Sequence, residues 1–187
     1  STATLRVLSD PAVSMSSGPV DEAYPGCAVT RNVGAGQAYT TIQSALSALP
    51  TALTGPSCVV IRDGATYPEQ VTVQGFTNNG SSITILADPA SGLRPIVSPP
   101  SASIAAFVIV NASVNVKGLD IVVSQNVPYG VRVSSAYVRI NSVNVSTSGS
   151  LGINTAGIEL ADWDSVTDSS VAVQNAKAIS LTGSNNS

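Results

Sequence analysis

Short runs of alternating apolar and polar residues recur along the chain from Cys58 onward, and most are rich in Val and Ile. Gly, Asn, Ser and Pro separate the runs, and this alternation is typical of β-strands with one buried face. Six runs match as equivalent strands of a first family, at residues 59–61, 83–85, 107–110, 130–133, 157–160 and 179–181. Corresponding residues in successive runs are 21 to 27 positions apart, and a repeat of this size predicts stacked coils rather than a sandwich.

Further strand families fall within the same repeat. A second family is predicted at residues 71–73, 114–116 and 138–140, and a third at 119–121, 143–145 and 171–173. Each coil then carries two or three strands, whose inward Val, Ile and Leu residues stack into columns. The pattern predicts an all-β fold, a right-handed parallel β-helix or β-solenoid.

One segment has the periodicity of an amphipathic helix. Its apolar residues fall at i, i+3, i+4 and i+7 and form one face: Ile42, Ala45, Leu46 and Leu49. Thr40 or Thr41 can supply the N-cap oxygen and Pro50 marks the stop, so a helix is expected at about residues 39–49. We expect this helix to cap the N-terminal end of the sheet stack, whose edge would otherwise pair with other chains.

The first 35 residues are rich in Pro, Ser and Gly, which interrupt regular elements. We expect an extended leader at residues 1–35, with a short strand at 5–8, followed by a β-helix domain at 36–187. The chain opens at Ser1 without the zones of a signal peptide and stops in a stretch rich in Ser and Asn. These ends suggest a cleaved product or a segment of a longer protein.

Charged residues make up only 10% of the chain, against 43% hydrophobic residues. Since roughly 25% charge is typical of globular domains, the neutral surface suggests a protein that is extracellular or displayed on the cell surface. The net charge is −3 and the Lys and Arg residues are scattered, which argues against nucleic acid and anionic membranes as partners. No stretch approaches the roughly 20 apolar residues of a membrane span.

The two cysteines, Cys27 and Cys58, fit a disulfide, a pair of buried thiols or half of a metal site. A zinc site would need both thiolates plus carboxylates, because the chain contains no histidine. The disulfide is favoured, since the composition already points outside the cell. No metal and no cofactor is expected.

Two blocks of sequence resemble a known family. They read VGAGQAYTTIQSAL at residues 33–46 and VIRDGATYPEQV at residues 60–71. Together they resemble the opening of pectin-lyase-like β-helix proteins, pectinesterases especially, over about residues 33–87. The resemblance implies a capping helix followed by the first full coil, and VKGLDI at residues 116–121 is similar to a generic coil phrase of the family.

The resemblance implies the fold more strongly than the activity. Pectinesterases carry two aspartates, an arginine and glutamines in short central motifs, and no comparable motif occurs here. Lys117, Asp120, Arg132 and Arg139 are candidates for a base and a charge partner on one outward sheet face. Solvated surface charge is the plainer interpretation, so the chain is expected to be a non-catalytic member.

The most conspicuous polar and aromatic cluster is Asp162-Trp163-Asp164, which contains the single Trp of the chain. Two carboxylates beside an indole can bind a sugar or a calcium ion. The alternative is a turn between strands, because Asp is favoured in turns.

Two functions compete on this evidence. The first is a structural or adhesive module of a secreted or cell-surface protein, which self-associates into a fibre or contacts neighbouring domains of the same protein. The second is a polysaccharide-active or carbohydrate-binding protein, for which an aromatic content of 4% is low. Assays for unsaturated product or methanol released from pectic substrates would separate them.

Overall fold

The chain winds into a right-handed parallel β-helix, which confirms the predicted fold class. The computed structural model describes residues 21–187. In chain order the strands are β1 (Val29–Val33), β2 (Ser57–Ile61), β3 (Thr66–Tyr67), β4 (Val71–Val73), β5 (Ile83–Ala87), β6 (Ile96–Val97), β7 (Phe107–Ile109), β8 (Val114–Lys117), β9 (Asp120–Val123), β10 (Val127–Val133), β11 (Arg139–Asn141), β12 (Asn144–Thr147), β13 (Ile153–Leu160), β14 (Ser165–Thr167), β15 (Ser170–Ala172) and β16 (Lys177–Leu181).

Three parallel sheets form the sides of the coil. Sheet 1 contains β1, β2, β5, β8, β11 and β14, sheet 2 contains β3, β6, β9, β12 and β15, and sheet 3 contains β4, β7, β10, β13 and β16. From β2 onward, each coil passes through sheets 1, 2 and 3 in turn before it enters the next coil.

The core is a column of stacked aliphatic side chains, as the alternation predicts. In sheet 1, the register places Val59, Ile85, Val116 and Ile140 above one another, and all four are fully buried. Phe107 in sheet 3 is the largest fully buried side chain. Because strand alternation sends the neighbouring residues outward, the outer faces are free to carry polar chemistry.

The predicted strand families are partly wrong. In the first family, residues 59–61 and 83–85 lie in sheet 1, whereas the four later runs lie in sheet 3. The partner of Ile85 in the next coil is Val116, because the connection from β5 to β8, residues 88–113, is longer than the corresponding connections in the other coils. Inward apolar runs of different sheets look alike in sequence. The prediction grouped runs by their equal spacing and so placed strands of two sheets in one family.

The capping helix is present. Helix α1 (Ile42–Ser47) lies within the predicted range, and the Thr41 side chain accepts a hydrogen bond from the Ser44 N–H as N-cap. Glu69 also accepts from the first helical amides, at 2.8 Å from the Ile42 nitrogen and 2.9 Å from the Gln43 nitrogen. The buried face of α1 contacts β1, β2 and β4 and so covers the N-terminal end of the column.

The β-helix begins before the expected domain boundary at residue 36. Strand β1 lies within the expected leader and pairs with β2 over its whole length. Arg31 interrupts the alternation of apolar and polar residues in β1, so the sequence pattern did not indicate a strand there. The Arg31 Nε donates to the Ala48 carbonyl at the end of α1. The strand predicted at residues 5–8 lies outside the described residues. Between residues 21 and 187, no helix is long and apolar enough to cross a membrane.

A buried ion pair at the end of β5 leads to a prediction about acid stability. Arg62 donates to Asp88 at 2.8 Å and holds the pKa of that carboxyl below its usual range. The pKa of Asp88 in the folded state is thus below its value of about 3.9 in the unfolded chain. The ion pair therefore stabilises the fold above about pH 4, and this stabilisation is lost as the pH falls through the folded-state pKa.

Asp88→Asn keeps the oxygen that accepts from the Ala90 N–H but loses the charge. We expect the variant to have a lower urea midpoint at pH 7 and a smaller further loss between pH 5 and pH 2.5 than the wild type. Urea unfolding followed by circular dichroism at each pH measures this difference. Parallel pH curves for the two proteins would contradict it.

Candidate functional site

The outer face of sheet 1 brings together unpaired cations, exposed aromatic rings and a surface depression. This sheet 1 face is formed by outward side chains of three neighbouring strands: Thr84 and Leu86 of β5, Asn115 and Lys117 of β8, and Arg139 and Asn141 of β11. The residues between them point into the core and are buried. The outward side chains are therefore held in place by the buried core residues next to them on the same strands.

Positive charge without an ion-pair partner is concentrated on this face. Four arginines in residues 21–187 each pair with a carboxylate, namely Arg31, Arg62, Arg94 and Arg132. The three described cations without such a pair are Lys117 and Arg139 on sheet 1 and Lys177 on sheet 3. Two of the three thus lie in adjacent coils of one face.

These positions correct the expectation that four charged residues share one face. Lys117 and Arg139 do share sheet 1, but Asp120 begins β9 in sheet 2 and Arg132 lies in sheet 3. Asp120 is bound by Arg94, and Arg132 is bound by Glu159 and lies over the Tyr129 ring. The four residues therefore do not form one cluster on the sheet 1 face.

A stacked aromatic pair stands at the turn from sheet 3 into sheet 1. The Tyr137 and Trp163 rings have centroids 6.3 Å apart and an interplanar angle of 25°. Both side chains are exposed, at 58% and 54%. The register of β11 and β14 places the two residues at the same turn position in successive coils. Together they form an exposed aromatic pair beside the sheet 1 face.

Both aromatic residues adopt left-handed backbone conformations, with φ of 61° for Tyr137 and 58° for Trp163. This conformation costs roughly 1–2 kcal/mol for a residue with a side chain and is unusual for bulky residues. Ser113, at the same turn position one coil earlier, has a φ of 55°, so the left-handed conformation belongs to the turn and only the aromatic side chains distinguish these two coils.

The two aspartates that flank Trp163 contact the backbone. Asp162 accepts from the Ser184 N–H at 2.6 Å. Asp164 is 1% exposed and accepts from the Val138 and Ala161 N–H groups, both at 2.8 Å. Burial raises the pKa of the Asp164 carboxyl, and the two backbone donors oppose that rise. The two carboxylates thus stabilise the turn that presents the indole.

Tyr137 was not among the residues that the sequence singled out. It lies 26 residues before Trp163, which is one coil of the repeat in this region. The same spacing joins Arg139 to Ser165. A search for aromatic residues one coil away from Trp163 would have found the pair. Within residues 21–187, no three His, Cys, Asp or Glu side chains gather as metal ligands.

A depression of about 750 Å³ lies on the sheet 1 face, and a second of about 290 Å³ adjoins it on the side of the aromatic pair. Leu86 and Lys117 line the larger depression, while Tyr137 and Arg139 line the smaller one. Ser82 borders both, and we call the combined feature the groove. Volumes of this order are typical of ligand sites.

Arg94 fixes one side of the groove. Its guanidinium bonds to the Asp120 carboxylate at 2.8 Å, to the Leu119 carbonyl at 3.0 Å and to the Ser142 carbonyl at 2.9 Å. These partners belong to successive coils, so the arginine joins neighbouring coils at the turn from sheet 1 to sheet 2. Asp168 lies at the same turn and accepts from the Asn141 side chain at 3.1 Å.

The N-terminal end of the groove is bounded by residues 21–27, which we call the strap. The predicted disulfide is present and joins Cys27 of the strap to Cys58 of β2. Tyr24 and Cys27 pack on a small outer apolar cluster of Cys58, Val60 and Leu86. The disulfide thus anchors the strap on the outside of sheet 1, separate from the main core.

Comparison with solved structures finds a similarity to the pectin methylesterase from Aspergillus niger. The identity is 13% and the TM-score is 0.42, with 90% of this chain and 87% of that chain covered. No protein-family model and no curated protein matches the chain. The capping helix and the first full coil, which the resemblance over residues 33–87 implied, are both present. At this identity and TM-score the similarity assigns neither a family nor a role to any residue.

Proposed function

We propose that this β-helix is an adhesive module that binds an acidic polysaccharide on the sheet 1 face. The observation that carries the proposal is that one groove is lined by Tyr137, which stacks with Trp163, and by the unpaired cations Lys117 and Arg139. The disulfide and the sparsely charged surface support an extracellular or cell-surface location.

The chemistry of the groove suits sugars that carry carboxylates. Aromatic faces supply rigid apolar surface on which a sugar ring can stack. Lys117 and Arg139 can donate charge-assisted hydrogen bonds to carboxylates, and the arginine can do so in bidentate geometry. Asn115 and Asn141, between these cations, add neutral donors and acceptors for hydroxyl groups.

The net charge of −3 does not conflict with an acidic ligand. At physiological ionic strength, charges further away than about 8 Å are largely screened, so the local cations decide the interaction. The carboxylates Asp88 and Asp120 near the groove are each paired with an arginine. We therefore expect binding that weakens as salt is added.

Titration of the purified protein with polygalacturonate, and with neutral dextran as control, tests the proposal. We expect binding to polygalacturonate only. The double variant Lys117→Gln/Arg139→Gln should bind roughly tenfold more weakly, and Trp163→Ala roughly fivefold, from about 0.5–1.5 kcal/mol for each interaction.

The matched control is Lys177→Gln, which removes an unpaired cation from sheet 3 and should leave the affinity unchanged. Absence of polygalacturonate binding by the wild type, or equal weakening by the control variant, would rule the sheet 1 face out. Assays for methanol or unsaturated product in the same samples would reveal turnover, which the proposed adhesive role does not require.

Self-association is a second candidate function. Strands β14, β15 and β16 each have a neighbour on one side only within residues 21–187. Ile179 and Leu181 of β16 are 44% and 61% exposed. Such an edge can pair with further strands, and pairing between copies would lead towards a fibre. Sedimentation velocity over a range of concentrations should then show oligomers that a Leu181→Lys variant lacks.

A further inference from the structure

The strap lies on the outer side of β1 and β2, at the N-terminal edge of sheet 1. Near one end of β1, the Asn32 side chain donates to the Glu22 carbonyl at 2.9 Å. Towards the other end, the Tyr24 N–H donates to the Thr30 hydroxyl at 3.0 Å. The strap therefore runs antiparallel to β1 on its outer side, perpendicular to the axis of the coil.

Exposure of the sheet 1 face changes sharply along that axis. The outward side chains under and beside the strap are almost fully buried: Thr30, Asn32, Cys58 and Val60. Lys117 and Arg139, two and three strands further along the sheet, are exposed. The groove is thus closed at the strap and open in the direction of β11 and β14.

The strap is held by several independent contacts. Asp21 accepts from the Arg31 guanidinium at 3.1 Å and from the Asn32 N–H at 2.9 Å. The Cys27–Cys58 disulfide fixes the other end, and Tyr24 packs on the outer apolar cluster. Contacts at both ends make the strap a fixed wall of the groove.

We infer that the groove binds the end of a polysaccharide chain, with the terminal sugar against the strap and the following sugars over Lys117 and Arg139. This inference rests on the proposed function and adds to it the part of the ligand that is recognised. A chain that passed through the groove without ending there would have to cross the position of the strap. A polysaccharide chain that follows the groove along the axis of the coil therefore has its end at the strap.

The stoichiometry of binding tests the inference. Purified full chain is titrated with an oligogalacturonide of about six sugars and with polygalacturonate of about fifty, and proteins bound per sugar chain are counted by calorimetry and sedimentation. One protein per chain is expected at both lengths. Several proteins per long chain would overturn chain-end binding while leaving the proposed function intact. No binding at either length would overturn the proposed function and this inference with it.

A second measurement uses the variant Asp21→Ala/Tyr24→Ala/Cys27→Ser/Cys58→Ser, which removes the Asp21 hydrogen bonds, the Tyr24 packing and the disulfide that hold the strap. Without a fixed strap, several molecules of the variant should bind to each long polygalacturonate chain, whereas one molecule of the wild type binds. Circular dichroism confirms the coil in the variant. A folded variant that still loads one molecule per long chain would overturn the role of the strap, and an unfolded variant leaves the wild-type stoichiometry to decide.

Discussion

Replacement of Phe107 by alanine is expected to lower the free energy of unfolding by about 3–5 kcal/mol, a typical cost for removing a buried aromatic side chain. Phe107 is fully buried and lies in register between Val71 and Val131 of the neighbouring coils. The column is continuous there, so the surrounding coils cannot collapse into the space without losing their own strand pairing.

The control is Val108→Ala on the same strand, because Val108 points outward and is partly exposed. We expect it to cost less than about 1 kcal/mol. Urea unfolding followed by far-ultraviolet circular dichroism measures both variants. Equal losses from the two substitutions would show that β7 does not alternate between the core and the outer surface.

Alanine at Gly130 is expected to destabilise the fold by about 2–3 kcal/mol through overpacking. A Cβ at this position would lie 2.6 Å from the Gly157 carbonyl oxygen and 2.6 Å from a Val145 methyl group. The first of these atoms belongs to the backbone of the next coil and cannot rotate away. The absence of a side chain lets sheets 2 and 3 approach each other inside the coil.

The matched control for that substitution is Gly64→Ala. The nearest atom to a Cβ at residue 64 is the Leu93 Cβ at 3.5 Å, an ordinary contact distance. Thermal and urea unfolding should therefore find this variant close to the wild type. A neutral Gly130→Ala substitution would mean that the coil is wider at this corner than the structure shows.

Local patterns determined what could be predicted from the sequence. Strand alternation predicted the inward column, and the spacing of Ile42, Ala45 and Leu46 predicted the capping helix. Membership of each sheet was harder to predict. It depends on the lengths of the turns, and a spacing of 24 residues linked Ile85 to Ile109 although the true partner is Val116.

Only part of the candidate site could be predicted from the sequence, because contacts between coils depend on the lengths of the turns. Trp163 stood out as the single Trp, but its partner Tyr137 becomes a neighbour only through the coil register. The roles of the flanking aspartates depend on backbone donors from other turns, which sequence does not place. The disulfide was predicted from composition, whereas its use as the anchor of a wall requires the position of the strap on sheet 1.

The most direct test of the account is a crystal structure of the protein with a bound hexameric oligogalacturonide. The account predicts sugar density along the sheet 1 face, with carboxylates within hydrogen-bonding distance of Lys117 or Arg139 and a ring against Tyr137 or Trp163. Ordered sugar on sheet 2 or sheet 3, with the sheet 1 face empty, would contradict it.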